Sequence, residues 1–535
     1  MSYVLIPGRH HTLSKFQKQY LTDILNKSQK ETSDINGKSL NLENPIDTMI
    51  WAVTSANHDN TRRNPIPGHR REVMIERFSD DLDGNTYVYL INDIAKTPKF
   101  AEYVIKTIDV QSLGQHRINP KNCVVAVSTP SVIEMYEKLG FQILPLELET
   151  RSPPLYRTKR TWELIEAIAE SNKKGANWRT IPEFTEDTAK ASQDLFLKYN
   201  YGDLIIELFN DRVLGDDGDI TETRDYATYI EAFDEGASRK YELVKKYLKN
   251  GRIVDIGCAT GSIIKEMSND KNLSESDLYG VEASRQLYSL CEQRKENGNF
   301  GNENVFFYHR NIINKNIFPE NTVNTFTAFS LTHELESYSG RSALLKFLKN
   351  IYSQLIPDGM LVIYDVIGPE NKDKMVLAQL STEDGNNKDW DKKFEDKKGN
   401  DFKEFIKDLS TQAKFFRFAQ DFRKEEGYKM EYEIVSKEGH EYIKIRFQDL
   451  AEFLSKKDYT DNWYSEMHET FCFWNFEDWK RELEKIGYRV SDNSEVITNE
   501  WVVKNRYENC SKIYDTDMNQ LPFPPTNVII VAEKI

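Results

Sequence analysis

Asn250-Gly-Arg-Ile-Val-Asp255-Ile-Gly257-Cys258-Ala259-Thr260-Gly261-Ser262, with Asp277-Leu-Tyr-Gly-Val-Glu282 following, decides how the rest of the chain is read. Arg252 to Ile256 is a short apolar strand that carries Asp255 into two glycines, and a helix begins at about Ser262 with Ile263, Ile264 and Met267 on one side. Strand, glycine turn and helix start together make a binding corner. Glycine lets a ligand approach the backbone, and the exposed N–H groups of the helix start favour an electron-rich group. The second strand, Asp277 to Val281, ends in Glu282, about twenty residues past the glycines, where a carboxylate can accept both hydroxyls of a ribose.

Such a corner suits either a dinucleotide or S-adenosylmethionine. Asp-x-Gly-x-x-x-Gly is not Gly-x-Gly-x-x-Gly, and it resembles the first motif of class I methyltransferases. The later segments keep that family's order. Asn311 follows the strand Val305 to Tyr308, and the strand Thr325 to Leu331 leads into Thr332-His333-Glu334. The helix Arg341 to Leu355 comes next, and Pro357-Asp358-Gly359 turns into the strand Met360 to Val366, like the family's Pro-Gly-Gly turn. The resemblance implies S-adenosylmethionine as cofactor, held by Asp255, Gly257, Cys258, Ala259, Gly261, Glu282, Asn311 and Ser330, with Asn311 against the adenine amino group. It is silent on the methyl acceptor.

A chain of 535 residues is long for one domain, so two or three are expected. Its 29% charged and 39% hydrophobic residues describe an ordinary soluble protein with no apolar run long enough to span a bilayer. The start, Met-Ser-Tyr-Val-Leu-Ile, lacks the layout of a secretory signal. Cys123, Cys258, Cys291, Cys472 and Cys510 form no Cys-x-x-Cys pair, which argues against a zinc ribbon and a disulfide framework and makes a reducing cytoplasm the expected compartment. A net charge of −15 opposes non-specific binding to nucleic-acid backbones and leaves room only for a local basic groove.

The first third alternates strands (Tyr3 to Ile6, Thr48 to Thr54, Tyr87 to Ile91, Cys123 to Ser128) with helical segments, which implies a parallel sheet covered on both faces. Gly8-Arg9 before the helix Lys15 to Asn26 carries a second resemblance, to nucleotidylyltransferases of the nicotinamide-nucleotide adenylyltransferase type. So do Ser55 to Pro65 with Arg70, then Ser128-Thr129-Pro130, Leu139-Gly140-Phe141 and Asn177-Trp178-Arg179. The family's catalytic histidine pair falls, by count, at Ser14 and Gln17, neither of which carries a positive charge. His10 and His11 lie one turn earlier and are read either as phosphate contacts or as packing histidines. Arg157, Lys159 and Arg160 are read either as a phosphate clamp or as a solvated basic turn. The resemblance thus assigns nucleotide binding to Gly8, Arg9, His10, His11, Ser14, Gln17, Asn64, Arg70, Ser128 and Arg160, with ATP or another nucleoside triphosphate and Mg2+ as its ligand. Loss of both histidines leaves open whether this domain reacts or only binds.

The expected organisation is α/β, with two Rossmann-like domains. A nucleotidylyltransferase-like domain spans 1–198 and a linker 199–224; a class I methyltransferase domain takes 225–370 and 471–535, and 371–470 is an inserted substrate cap rich in aromatics. Asp216, Asp217 and Asp219 in the linker lack the distal glutamate of an EF-hand loop. Tyr226 and Tyr229 are placed to border the cofactor.

Methyl transfer needs alignment and, where the acceptor requires it, removal of a proton. His333 and Glu334 follow the fourth strand, at the cofactor's methyl end as the resemblance implies, and His468 lies on the insertion; these three are the candidate catalytic residues, with Asp365 or Glu336 as a partner for His333. His333, Glu334, Glu466, His468 and Glu469 have the ligand types of a divalent metal site. Their spacing differs from the Glu-x-x-His-x-x-His of RNA 2'-O-methyltransferases, and no metal is assigned. The leading expectation is a methyltransferase acting on a small or nucleotide-linked molecule, with no membrane partner. An RNA-end methyltransferase, and a methyltransferase gated by a non-catalytic nucleotide sensor, stand as alternatives.

Overall fold

A computed structural model describes the chain except residues 28, 30, 95, 96, 212–214, 217–225, 314, 315, 398 and 438, and except the side chains of 226–233 and 235. Asp217 and Asp219 of the acidic linker, and the side chains of Tyr226 and Tyr229, therefore lie outside the described residues. The chain divides into two units, Met1–Gly218 and Asp219–Ile535. No helix among the described residues is long and apolar enough to cross a membrane.

The first unit is built on five strands, β1 (Ser2–Gly8), β2 (Ile46–Val53), β3 (Asn85–Leu90), β4 (Cys123–Ala126) and β5 (Ile143–Leu144), in the order β3-β2-β1-β4-β5. All neighbours are parallel. The alternation of side chains along a strand sorts the residues onto two cores. Val4, Ile6, Met49 and Trp51 face one layer of helices, while Tyr3, Leu5, Ile50 and Ala52 face the other. Burial on both faces is why these strands read as unbroken apolar runs. The order reverses beside β1, so a crevice opens at the carboxyl ends of β1 and β4. A short antiparallel hairpin, β6 (Leu148–Arg151) with β7 (Pro154–Tyr156), follows β5.

The second unit holds β8 (Arg252–Ile256), β9 (Asp277–Glu282), β10 (Val305–His309), β11 (Val323–Phe329) and β12 (Leu355–Val366). Its sheet runs β10-β9-β8-β11-β12-β19-β16, and β17 also pairs with β19. Here β16 is Tyr488–Val490, β17 is Glu495–Ile497 and β19 is Asn527–Lys534. The strands from β8 to β12 are parallel, and β19 runs antiparallel to β12. The strand order reverses again at β8, which places its glycine loop at the mouth of the sheet. Strand β12 starts at Leu355, earlier than the expected Met360, and takes in the turn residues; Asp358 has φ +60° there.

A smaller antiparallel sheet, β14-β15-β13-β18, stands beside this one: β13 (Met375–Leu380), β14 (Tyr432–Lys437), β15 (His440–Arg446) and β18 (Ser511–Tyr514). Its core gathers the aromatics of the insertion, Phe402, Phe415, Phe418, Phe422 and Trp463 among them, together with Tyr507 and Ile513 from the carboxyl-terminal stretch. The segment expected to form an inserted cap, 371–470, thus shares its sheet with Ser511–Tyr514, through pairs such as Leu380 with Ser511.

Candidate functional site

In the second unit the glycine corner takes the form its sequence demands. Gly257 has φ +65° and Gly261 φ +75°, the left-handed region that suits a residue without Cβ. A Cβ on Gly257 would stand 2.9 Å from Leu331 Cδ1. Ala259 shares the positive φ, at +48°. It is held there by Glu282, whose Oε2 accepts the Ala259 N–H at 2.9 Å while Oε1 accepts the Ser284 N–H at 2.8 Å. One buried carboxylate therefore shapes both the β8 loop and the turn after β9.

Burial pushes the Glu282 carboxyl up to about 7, against the pull of those N–H donors, and the negative charge of Glu334 adds to the rise. A carboxylate has about four acceptor directions, so Glu282 keeps capacity for further donors. Asp255 is likewise buried and pushed up to about 7 by burial, with the Thr327 hydroxyl donating to it at 2.7 Å. Lys240 donates to Ser330 Oγ at 3.2 Å; burial lowers its amine, and the charges of Asp365 and Asp255 oppose that fall. Cys258 is buried under the turn, and Asn311 turns its side-chain oxygen to the Ile313 N–H at 3.0 Å. Asp234, on the helix Tyr226–Val244, accepts both Arg294 nitrogens at 2.7 and 3.0 Å and the Thr260 hydroxyl at 3.0 Å, which clamps the helix start after Gly261.

At the end of β11 the chain enters the helix Thr332–Ser339. His333 is buried there between two carboxylates: Nδ1 lies 2.6 Å from Asp365 Oδ1, and Nε2 lies 3.5 Å from Glu469 Oε2. Thr332 donates its N–H and hydroxyl to the other oxygen of Asp365, at 2.7 and 2.5 Å. Burial disfavours an imidazolium, but the Asp365 charge and hydrogen bond, with Glu469 behind them, outweigh it and hold the imidazole well above its ordinary value. The second nitrogen of His333 faces the Glu469 carboxylate.

Glu469 belongs to the cap segment and is buried. Tyr338 donates its hydroxyl to Oε1 at 2.9 Å, and Lys456 donates to the Glu469 carbonyl. Lys456 is fully buried between the rings of Phe422 and Phe471, each 4.6 Å away, and pairs with Glu452 at 2.9 Å. Glu452 in turn accepts the N–H groups of Phe471 and Cys472 at 3.1 and 2.7 Å. His333, Glu334 and Glu469 thus come together, with ligand atoms within 4.8 Å of one another. His468 and Glu466 do not join them. His468 turns to Glu426 at 2.7 Å, and Glu336 pairs with Arg341 at 3.1 Å rather than with His333.

In the first unit a cleft of about 160 Å³ opens where the strand order reverses, lined by Gly8, Arg9, His10, His11, Gln17 and Ser128, with Glu147 and Trp162. Ser14 and Gln17 form a capping box at the start of the helix Lys15–Asn26, each side chain accepting the other's backbone N–H. Gln17 also donates to Glu147 at 2.9 Å, as does the Ser128 hydroxyl at 2.9 Å. His10 is held by the Ile6 carbonyl at 3.1 Å, and burial lowers it to about 4. Burial, then the charges of Arg71 and Arg9, drive His11 well below its ordinary value; its Nε2 meets Asn64 Oδ1 at 3.3 Å. Both histidines are neutral.

Asn64, Arg70 and Arg160 serve the walls. Arg70 donates to the Tyr199 hydroxyl at 2.6 Å, and Arg160 pairs with Glu163 at 3.1 Å. Arg9 remains at the cleft, its guanidinium 5.3 Å from the Trp162 ring centre. Arg71, which the sequence did not single out, is fully buried and ties three turns together by donating to the carbonyls of Arg9, Thr54 and Ser55 at 2.7 to 2.8 Å.

Residues 248–434 match the family described as "Methyltransferase domain". This part of the chain is a methyltransferase domain. Solved structures are similar to part of the chain, among them an S-adenosylmethionine-dependent methyltransferase from Mesorhizobium loti. It is 12% identical, covers 56% of this chain and 99% of its own, and has a TM-score of 0.31. An S-adenosylmethionine-dependent methyltransferase from Methanosarcina mazei is 12% identical, over 55% of this chain and 98% of its own, with a TM-score of 0.29. In the first unit, the nicotinamide-nucleotide adenylyltransferase of Halorubrum lacusprofundi is 24% identical over 145 residues, 26% of this chain and 70% of that protein. The methyltransferase domain makes the chain an enzyme, and its glycine corner fits a nucleoside. The corner presents glycines where a side chain would collide and a buried carboxylate with acceptor capacity to spare.

Proposed function

We propose that the methyltransferase domain binds S-adenosylmethionine at Gly257–Gly261 and Glu282, and transfers its methyl group to an oxygen or nitrogen of a small, nucleotide-linked acceptor admitted beneath the cap. The observation that carries this reading is Glu282: a carboxylate buried at a cost at the end of β9 and bonded to the backbone N–H groups of both the β8 loop and the turn that follows β9. Bound there, S-adenosylmethionine supplies an electrophilic sulfonium methyl. The chain does the rest. Gly257 and Gly261 give the loop the left-handed turns that bring its backbone to the nucleoside, Asp255 and Lys240 set the charge behind it, and Glu282 accepts the ribose hydroxyls. The acceptor's proton passes to the carboxylate of Glu334, the partly exposed member of the His333, Glu334 and Glu469 cluster. Calorimetry with S-adenosylhomocysteine tests the reading: saturable binding at one site per chain supports it, and the absence of heat with either S-adenosylmethionine or its product ends it.

For the first unit we infer a nucleotide-binding role without adenylyl transfer, which makes it a sensor rather than a second catalyst. The capping box favours this reading. The two positions that would carry charged histidines are spent on starting a helix, and the histidines that remain at the cleft are neutral. Phosphoryl transfer runs on charge stabilisation, and with both histidines neutral Arg9 is the one cation left among the described residues that line the cleft. Measurable release of pyrophosphate from ATP and nicotinamide mononucleotide by the purified chain would reverse this assignment.

A further inference from the structure

The second unit contains one feature that methyl transfer alone does not require. His333 Nδ1 is committed to Asp365 at 2.6 Å, so the proton on that nitrogen points at a carboxylate and Nε2 is left as the outward nitrogen. What stands opposite Nε2, at 3.5 Å, is the Glu469 carboxylate, itself an acceptor. A metal ion between them would satisfy both, and Glu334 brings a third ligand atom, all three within 4.8 Å of one another.

We propose that His333 Nε2, Glu334 and Glu469 bind one divalent cation of the borderline class, Mn2+ or Zn2+. An imidazole with two carboxylates suits that class better than Mg2+, which prefers oxygen ligands throughout. The surrounding groups orient the ligands as a metal site needs. Asp365 fixes the imidazole tautomer and is itself fixed by Thr332, Tyr338 holds the other oxygen of Glu469 at 2.9 Å, and Lys456 anchors the Glu469 backbone. Three protein ligands leave coordination positions open, as in a catalytic site. An acceptor hydroxyl taken up there would lose its proton more readily. That role rests on the methyl-transfer reading; the binding of the ion does not.

The test uses the full chain, stripped with a chelator and titrated with MnCl2 while the free-ion electron paramagnetic resonance signal is followed, and with ZnCl2 in a calorimeter. One ion per chain is expected, with affinity lowered at least tenfold by Glu469→Gln and by Glu334→Gln, and about 10- to 100-fold by Asp365→Asn. Glu334 is only partly buried, so Glu334→Gln serves if the buried Glu469→Gln fails to fold. Absence of saturable binding of either ion, or binding that Glu334→Gln leaves unchanged, overturns the proposal. S-adenosylhomocysteine titrated in parallel separates the two readings. A chain that binds this nucleoside and no ion sinks the metal site alone, and a chain that binds the ion and no nucleoside sinks the assignment of the glycine corner.

Discussion

Replacing Glu282 by Gln should change stability, affinity and their pH dependence together, because one carboxylate serves all three. Burial raises that carboxyl from 4.5 to about 7, which corresponds to about 3 kcal/mol between its two protonation states. Its folded value is the raised one. The protein without cofactor is therefore most secure below the unfolded value and loses up to that amount as pH climbs from the ordinary carboxyl range through about 7. Gln has no charge to bury, so Glu282→Gln should flatten this loss, less what the weaker bonds to the Ala259 and Ser284 N–H groups forfeit.

Binding runs the other way. Ribose hydroxyls donate best to the ionised acid, so affinity for S-adenosylhomocysteine should rise with pH up to about 7, with a proton released on binding and a slope approaching tenfold per unit below that point. Loss of hydrogen bonds to a charged acceptor, worth about 1.5 to 3 kcal/mol, should weaken binding roughly 10- to 150-fold in the variant. Calorimetry at pH 5.5 to 8 in buffers of different ionisation enthalpy reads affinity and proton release together, and urea unfolding over the same range reads stability. Asp255 titrates in the same window, so a residual slope in the variant belongs to it. A Glu282→Gln protein with the parent's affinity and the parent's proton release would refute the reasoning.

Lys456→Met should leave Glu452 buried without its counter-charge and cost about 3 to 5 kcal/mol, read as a lower urea midpoint, and Lys456→Met with Glu452→Gln should recover part of it. Ser14→Ala should cost about 1 kcal/mol through loss of the cap, while nucleotide binding to the first unit, followed by tryptophan fluorescence, stays as in the parent, since Ser14 does not line the cleft. Arg71→Lys keeps the charge but not the fork that reaches three carbonyls, so it should lose at least about 2 kcal/mol in urea unfolding.

What the sequence made legible is local. Gly257, Gly261 and Glu282 declare themselves because a positive φ and a strand end leave marks within a few residues. The parallel sheets show as apolar runs because both faces are covered. Contacts between distant segments left no such mark. His333 meets Asp365 across 32 residues, and Tyr338 meets Glu469 across 131. Nothing in the spacing of the cap told Glu469, which turns inward, from His468, which turns to Glu426. Lys456, fully buried, reads in sequence as one more surface lysine. Ser14 and Gln17 show a different failing. Their Ser-x-x-Gln spacing is itself a helix-start signature, but counting from Gly8-Arg9 drew attention to the histidines that were missing instead of to the cap that was present.

The pairing of β13 with β18 bears on how this enzyme can be re-engineered. A module closed by strands from two separate segments cannot be lifted out as one cassette, because a cut at either end of 371–470 would strand Ser511–Tyr514 as an unpartnered edge and open the aromatic interior at Tyr507 and Ile513. Any exchange of this aromatic module has to carry both segments across together.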